Sequence, residues 1–270
     1  PMALSPAESM ICYGSAWGKL ENLRRKKSGE TPVCAHLDFG EIAEEQAPWL
    51  ALMENGTMES PADKTLPPLS WMLQKEWTAM LEQSAPCHEK HLHLAAIHMA
   101  QRNLRDADEH LTKALSYAVT PIALFLKAQI HRMSGDLTAA ADTALEAYAL
   151  LPTDVSLCRQ ALALALRAGK HDEIIKAYES APANVQADGR VSMTYAFALL
   201  RTGNISAAEA ILLRDGGLSV TDIREGEISL TSLYIEIQKA KAAAEGKSLE
   251  DADIDVPRQF DFRMFVPKKK

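Results

Sequence analysis

Apolar and polar positions recur with helical spacing from His88 to Leu213, and three glycines divide this stretch at a constant interval. Gly135, Gly169 and Gly203 are 34 residues apart, and each ends one apolar run and precedes the next. A fixed interval of this length is typical of stacked helix hairpins, because each hairpin buries its apolar face against its neighbours. The pattern therefore predicts an all-α fold built on a helix-hairpin solenoid.

The same register predicts which residues pack inside the hairpins. Seven residues before each glycine, where the two helices of a hairpin must approach closely, the side chains are Ala128, Leu162 and Ala196. Small or apolar residues also recur on the second helix of each unit, and four residues later an apolar residue or tyrosine follows. These pairs are Ala107 and Leu111, Ala140 and Ala144, Ile174 and Tyr178, and Ala208 and Leu212.

Three departures from the register predict local irregularities. Arg102-Asn103 replaces the glycine of the first turn, and asparagine is the next-best residue for a positive φ. Pro182 arrives early, so the preceding helix should be short and an irregular link should follow from Ala183 to Asp188. After Asp215-Gly216-Gly217, an apolar helical pattern predicts a capping helix, marked by Leu230, Leu233, Tyr234 and Ile237.

One unit carries a recognisable repeat signature. Ala128, Gly135, Ala140 followed by Ala144, Ala147 and Pro152 give a small residue, a turn glycine, a second packed pair and a terminal proline. This pattern resembles the tetratricopeptide repeat. The resemblance implies a solenoid with an extended binding surface, but it does not imply a ligand.

The predicted organisation has four parts. Residues 1–86 lie outside the register and read as a non-repeat helical cap, with helices from Ser5 to Gly29, over Trp49 to Met53 up to Gly56, and from Ser70 to Pro86; Val33 to Phe39 reads as extended. About four repeats span 87–218, a capping helix 219–246, and an extended tail 247–270. Phe260, Phe262 and Met264 alternate with polar residues, so the tail should dock as an extended strip on this chain or on a missing β domain.

A second resemblance covers nearly the whole chain. Six blocks look like the C-terminal part of large bacterial multidomain proteins, which carry a β-sandwich region of unassigned function ahead of helical repeats. The blocks are Tyr13 to Glu21, His36 to Gly40, Ser70 to Met72, Glu76-Trp77, Asp222 to Glu227 and Pro257 to Met264. This resemblance implies that the chain is the helical half of such a protein and suggests a carbohydrate-related context. It supplies no catalytic residue.

Composition and charge exclude several classes of function. The net charge of −7 gives no basic field for nucleic acid, and the three terminal lysines stand alone. The longest uncharged run, 160–166, is too short to cross a bilayer, and the chain shows no secretory pattern. Cys12, Cys34, Cys87 and Cys158 show no close pairing, which favours reduced thiols and a cytoplasmic location. We expect no membrane or nucleic-acid partner and no cofactor.

Candidate chemistry is sparse. Cys87, His88, His91, His93 and His98 crowd into the first unit, but their spacing matches no established ligand motif, so we expect hydrogen-bonded core histidines and no metal. No phosphate loop, nucleophile elbow or His-Glu-x-x-His motif is present. Glu225 and Glu227 precede an apolar helix and favour a helix-start role. The sequence therefore assigns no catalytic residue.

The clearest candidate surface follows the first helices of the hairpins, which line the concave side in repeats of this type. Its outward positions are Phe125, Gln129, Arg132, Arg159, Arg167, Arg190, Phe197 and Arg201. Arginine suits paired hydrogen bonds to carboxylates, so this wall fits an acidic, partly apolar segment. Equally, the arginines could pair with acids of adjacent helices.

Two functions are left open by the sequence. The first is a non-enzymatic interaction or scaffold module that binds a protein segment or a companion β domain in its concave groove. The second is the helical part of a carbohydrate-active enzyme, with cap tryptophans contributing to a sugar site. Tryptophans at helical spacing are more often core residues, which favours the first.

Overall fold

The computed structural model describes residues 25, 28–30, 47–60, 63–65, 67–68, 70–220 and 229–262, with Lys75 and Glu76 described by backbone only. Within these ranges the regular structure is entirely helical, as the sequence predicts. The α-helices are α1 (Ala47–Asn55), α2 (Lys75–Gln83), α3 (His88–Ala100), α4 (Leu104–Tyr117), α5 (Pro121–Met133), α6 (Leu137–Leu150), α7 (Val155–Arg167), α8 (His171–Glu179), α9 (Ala183–Gln186), α10 (Gly189–Arg201), α11 (Ile205–Leu213) and α12 (Leu230–Ala244). Two short 3-10 turns cover Arg214–Gly216 and Asp251–Asp253.

The chain divides into two compact units, Pro1–Ser134 and Gly135–Lys270. The first contains α1 to α5, and the second contains α6 to α12. In the first unit, α3 packs on α2, α4 and α5; in the second, α10 contacts α7, α8, α9, α11 and α12. Each unit therefore has one central helix that its neighbours surround.

The repeat glycines occupy the predicted turns. Gly135, Gly169 and Gly203 each follow the end of a helix by two residues, with φ of 85°, 73° and 83°. This left-handed conformation costs a glycine little and other residues more, which explains why the interval of 34 residues is marked by glycine. In the first turn the positive φ, 60°, falls on Arg102, whereas Asn103 caps α4 by accepting from the backbone N–H of Asp106. The expectation that asparagine would take the positive φ is corrected.

The packing positions predicted from the register are buried. Every one of the second-helix pairs and of the positions seven residues before the glycines is at most 6% exposed, and most are fully buried. Alanine at many of these positions lets helix backbones approach closely, because no long side chain separates them. The register therefore predicts these buried positions correctly.

Large aromatic side chains fill the core of the first unit. The indole rings of Trp49 and Trp77 meet edge to face with centroids 4.9 Å apart, and both side chains are almost completely buried. Leu50, Leu81 and Ile97 complete this cluster. Trp49 and Trp77 are thus core residues, as expected; Trp17, most of the predicted helix from Ser5 to Gly29 and the stretch from Val33 to Phe39 lie outside the described residues.

One predicted helix boundary is wrong. The helix expected to begin at Ser70 begins at Lys75, and Gln74 before it is extended. Ser70 instead accepts a hydrogen bond of 2.8 Å from the indole N–H of Trp49, so its hydroxyl serves a tertiary contact and not a helix cap. The preceding helix, α1, ends before Gly56 as predicted, and Gly56 has a φ of 67°.

The second unit closes with a capping helix and a docked tail. α8 is short, as the early Pro182 predicts, but the following link contains the helical turn α9. α12 packs on α10 and α11. In the tail, Phe260 is buried; its carbonyl accepts from the hydroxyl of Thr231, which in turn accepts from the backbone N–H of Phe262. The tail therefore docks on this chain through Phe260. Residues 258–260 form a turn and Phe262 is 48% exposed, so the expected extended strip with both rings on one apolar face is wrong. Met264 and the segment from Asp222 to Glu227 lie outside the described residues.

In the part of the chain that the structure describes, no helix has both the length and the apolar character that crossing a bilayer requires.

Candidate interaction surface

The eight residues predicted to line the groove fall on the predicted first helices, but they belong to different compact units. Phe125, Gln129 and Arg132 lie on α5 of the first unit. Arg159 and Arg167 lie on α7, and Arg190, Phe197 and Arg201 lie on α10, of the second unit. The two groups therefore constitute separate candidate surfaces.

The α5 group presents one arginine with a neutral partner. Arg132 is exposed, and its Nε donates a hydrogen bond of 2.8 Å to Oε1 of Gln129, one turn earlier. Phe125, one further turn back, is partly exposed. This strip thus combines a guanidinium, an amide and an aromatic ring on one helix.

Arg159 has a structural role in the second unit. Its Nε donates to Oδ1 of Asp188 at 2.9 Å, and a second guanidinium N–H donates to Oδ2. Asp188 also caps α10, accepting from the backbone N–H groups of Arg190 and Val191 at 3.1 Å each. Burial alone would raise the pKa of Asp188, but the hydrogen bonds from Arg159 and Val191 hold it below its usual value. The pair joins α7 to the start of α10.

Arg167 and Arg201 occupy the same place in successive repeats. Each is the last residue of its helix and exposed, and each stands two residues before a turn glycine. An Nη of Arg201 lies 2.8 Å from Oε2 of Glu236 on α12, with the Arg201 side chain 51% exposed. That oxygen accepts no hydrogen bond, so the contact is a close charge pair.

Phe197 does not lie on a surface. It is 2% exposed, and every residue from Val191 to Leu200 is buried. The physical reason is that α10 is surrounded by neighbouring helices, whereas the sequence-based assignment assumed one open face. The prediction that the Phe197 ring lines a groove is corrected, and Arg190, at the start of the same helix, is half-buried.

A polar cluster that sequence reasoning missed lies beside α10. The rings of Tyr178 and Tyr195 stack with centroids 3.9 Å apart and planes 8° apart. Arg214 donates to the hydroxyls of Tyr178, at 3.4 Å, and Ser192, at 3.2 Å. The Tyr195 hydroxyl donates to Oε1 of Glu179 at 3.2 Å. Because Tyr178 and Ser192 are buried, the cluster joins α8 and α10 to the 3-10 turn that follows α11.

His88 and His93 of α3 are buried among polar and aromatic partners. His88 contacts the carbonyl of Ala114 through Nδ1 at 3.0 Å and the hydroxyl of Thr120 through Nε2 at 3.3 Å. His93 lies between two indoles, with ring centroids 4.6 Å from Trp49 and 5.0 Å from Trp71. Burial, followed by the charge of His88, lowers the pKa of His93 to about 3. His93 is therefore a neutral core residue, and His88 is a buried residue with hydrogen-bond contacts at both ring nitrogens.

Metal coordination has no geometric support among the described side chains. No group of three or more His, Cys, Asp or Glu residues in the described ranges is arranged to hold a metal ion. Cys87, which belongs to the candidate set, instead caps α3 by accepting from the backbone N–H of Lys90 at 3.4 Å. Burial raises the pKa of the Cys87 thiol, so the sulfur is held in its protonated form.

The chain was compared with models of known protein families and with curated proteins, and neither comparison found a match. Function therefore has to be inferred from the contacts, charge and exposure of the residues themselves.

Proposed function

We propose that the second unit is a non-enzymatic interaction module whose exposed arginines bind an acidic segment of a partner protein. The observation that carries the proposal is the pair Arg167 and Arg201, repeated at one position of successive hairpins and exposed in both. A surface that repeats a guanidinium along an array of helices suits an extended ligand, because each repeat can engage one acidic side chain.

A tetratricopeptide-like arrangement is part of the same proposal. Three observations support it: the interval of 34 residues, positive φ at each repeat glycine, and burial of the register positions. Repeats of this kind work by stacking helix pairs into an extended surface. We also propose that the partner is either a free protein segment or a companion β domain of the same family, as the second sequence resemblance suggests.

The internal charge partner of Arg201 does not oppose this role. Exposed ion pairs contribute about 0–1 kcal/mol, since the charges are screened and two long side chains lose freedom. Because Oε2 of Glu236 is shielded from water, that carboxylate keeps Arg201 as its charge partner. The guanidinium has five N–H donors and can at the same time donate a charge-assisted hydrogen bond to a carboxylate of the partner protein. Arg159 differs, because its two hydrogen bonds to half-buried Asp188 are needed within the fold.

The same proposal includes an apolar component of the ligand. Phe125 and Arg132 on α5 supply an aromatic and a charged group in the first unit, and Leu150 and Leu213 are exposed apolar side chains in the second. A ligand that carries a few apolar residues among acids would use both kinds of contact.

The sugar-site alternative loses its main support. It relied on tryptophans as stacking platforms, but Trp49 and Trp77 are at most 1% exposed and Trp71 packs on His93. A sugar ring needs an open aromatic face, so neither of the two fully buried indoles can serve.

The experiment uses two synthetic peptides of equal length, one of alternating Glu and Phe and one in which Lys replaces Glu. Fluorescence anisotropy with the full chain should show binding of the acidic peptide that weakens as salt rises. Arg167→Ala and Arg201→Ala should weaken this binding. Arg105→Ala in the first unit, where the arginine side chain is 87% exposed, is the matched control for loss of one surface charge. Equal binding of both peptides, or no binding of the acidic one, would contradict the proposal.

A further inference from the structure

Three imidazoles form a column between α3 and α4 that the proposed function does not use. His110 of α4 lies between His91 and His98 of α3, with ring centroids 5.3 Å from each. The rings of His98 and His110 are nearly parallel, at 10°, and Tyr117 stacks on the far side of His91 at 5.9 Å. We call His91, His98 and His110 the imidazole column.

The contact between His91 and His110 requires that only one of the two Nδ1 atoms carries a hydrogen. Their Nδ1 atoms lie 3.0 Å apart, which is a hydrogen-bond distance. One Nδ1 must therefore carry a hydrogen while the other offers its lone pair, so the two rings are opposite tautomers. A first additional proton can enter at Nε2 of the donor ring and leave this bond intact. A second must enter at the acceptor Nδ1, and two N–H groups would then face each other.

The surroundings oppose even the first proton. His91 is 8% exposed, and Nδ1 of His98 is shielded from water without a hydrogen-bond partner. Burial, together with the positive charges of His110 and Lys113, lowers the pKa of His91 to about 4; burial and His98 likewise lower that of His110. Asp106 and Glu109 act on His110 in the opposite direction.

The charged and titratable groups around the column come from each packed helix. On α3 these are His88 and Lys90, and on α4 they are Lys113, Asp106 and Glu109. From α2, the carbonyls of Glu82 and Ser84 hold the Lys90 ammonium at 2.8 and 2.7 Å. From α5, Lys127 approaches α4 and pairs with Asp108 at 3.2 Å. Positive groups thus outnumber negative ones beside His91.

We propose that the imidazole column is a proton-sensitive lock: it holds α3 against α4 while its rings are neutral and releases the hairpin when His91 and His110 are both protonated. Its consequence is an acid-labile first unit. The column belongs entirely to that unit, so the release does not depend on the arginines of the second.

The sign of the pH dependence follows from the lowered pKa values. His91 and His110 each take up a proton in the unfolded chain near the ordinary pKa of 6.5 but resist one in the folded unit. The stabilisation is therefore fully present above pH 6.5 and is lost as pH falls from 6.5 toward about 4. Two coupled sites should make the loss steeper than a single histidine would.

Tryptophan fluorescence can follow this unit alone, because all four tryptophans lie within residues 1–134. We would measure the urea midpoint of the full chain between pH 7.5 and 5 for the wild type, for His91→Gln/His110→Gln, and for His131→Gln as a matched control on α5. The wild type and the control should lose the same amount on acidification, and the double variant no more than half as much. An unchanged pH dependence in the double variant would overturn the proposal.

The double variant could fail to fold, so the wild type also provides a test. Imidazole NMR resonances of the intact chain should show His91 neutral at pH 5, titrating near pH 4 together with loss of α3 and α4 amide signals. Titration of both His91 and His110 near pH 6.5, with the amide signals unchanged, would equally overturn the proposal.

Discussion

The two compact units fill their interiors in different ways. The first uses large aromatic rings and buried polar groups: Trp49 and Trp77 pack edge to face, and His93 is held between indoles. The second combines alanines at repeating positions, such as Ala144 and Ala196, with buried rings such as Phe197 and the stacked pair of Tyr178 and Tyr195. An alanine interior tolerates repetition because each position needs only a small side chain. An aromatic interior depends on the individual fit of each ring.

This difference explains why, among the described residues, repeated surface side chains are found in one unit and not in the other. In the second unit the repeating backbone presents the same position again and again, so Arg167 and Arg201 form a series. In the first unit the polar groups turn inward, as the contact between His91 and His110 shows. We accordingly place the binding role in the second unit and the response to acid in the first.

Removing an aromatic ring from the first unit should give the largest effect on stability. Trp77 is fully buried, and Trp77→Ala should cost about 3–5 kcal/mol through lost burial and the cavity that remains. Amide exchange measured by mass spectrometry should show faster exchange over α1 to α3. Amides of residues 155–213 in the second unit should keep their protection from exchange if the units are energetically separate. Equal loss of amide protection in both units would contradict that separation.

Breaking the pair of Arg159 and Asp188 should destabilise the second unit by about 1–3 kcal/mol, since it removes charge-assisted hydrogen bonds at a half-buried site. Asp188→Asn should cost less than Asp188→Ala, because asparagine can still cap α10. Chemical denaturation followed by circular dichroism measures both.

The pH dependence of that pair has a definite sign. The pKa of folded Asp188 lies below the usual 3.8, so its contribution is present above pH 3.8 and is lost as pH falls through the lower folded value. It therefore adds nothing to a loss of stability between pH 6.5 and 5. Loss of α7 and α10 protection in that range would contradict this assignment and would blur the contrast with the first unit.

Replacing a turn glycine should have a smaller effect. Gly169 has a φ of 73°, and a Cβ added there would meet no atom within 4 Å, so the cost arises from backbone conformation alone. Gly169→Val should lose about 1 kcal/mol or more, and Gly169→Asn less, because asparagine enters the left-handed region more readily. Thermal melting of the two variants side by side tests this ranking; a valine variant as stable as wild type would refute it.

The regular part of the fold could be predicted from sequence because its information is local and repeated. The glycines, the positions from Ala107 to Leu212 and the capping helix all follow from spacing. The start of α2 could not be predicted, since Ser70 is engaged by a tryptophan 21 residues away. The burial of Phe197 was missed for a related reason: the number of helices around α10 is a tertiary property that periodicity on one helix does not contain.

The candidate site shows the same division. Spacing gives the equivalence of Arg167 and Arg201, but it cannot separate them from Arg159, whose partner Asp188 lies 29 residues further along the chain. Sequence pattern does not single out Arg214, because its hydroxyl partners Tyr178 and Ser192 come from α8 and α10. Sequence pattern identifies which side chains repeat, whereas the fold decides which of them form hydrogen bonds that hold helices together, as Arg159 does.

The most direct test of the central claim compares the stability and binding effects of the two repeated arginines. Arg167→Ala and Arg201→Ala should each weaken binding of the Glu/Phe peptide by about 1–3 kcal/mol, roughly 5- to 150-fold, because each removes a charge-assisted hydrogen bond. Arg167→Ala should change the free energy of unfolding by less than about 0.5 kcal/mol, since its side chain is exposed. Arg201→Ala also removes the contact with Glu236, a pair worth about 0–1 kcal/mol. If peptide affinity is unchanged and the melting temperature falls instead, these arginines serve the fold, and the second unit has no binding surface at this position.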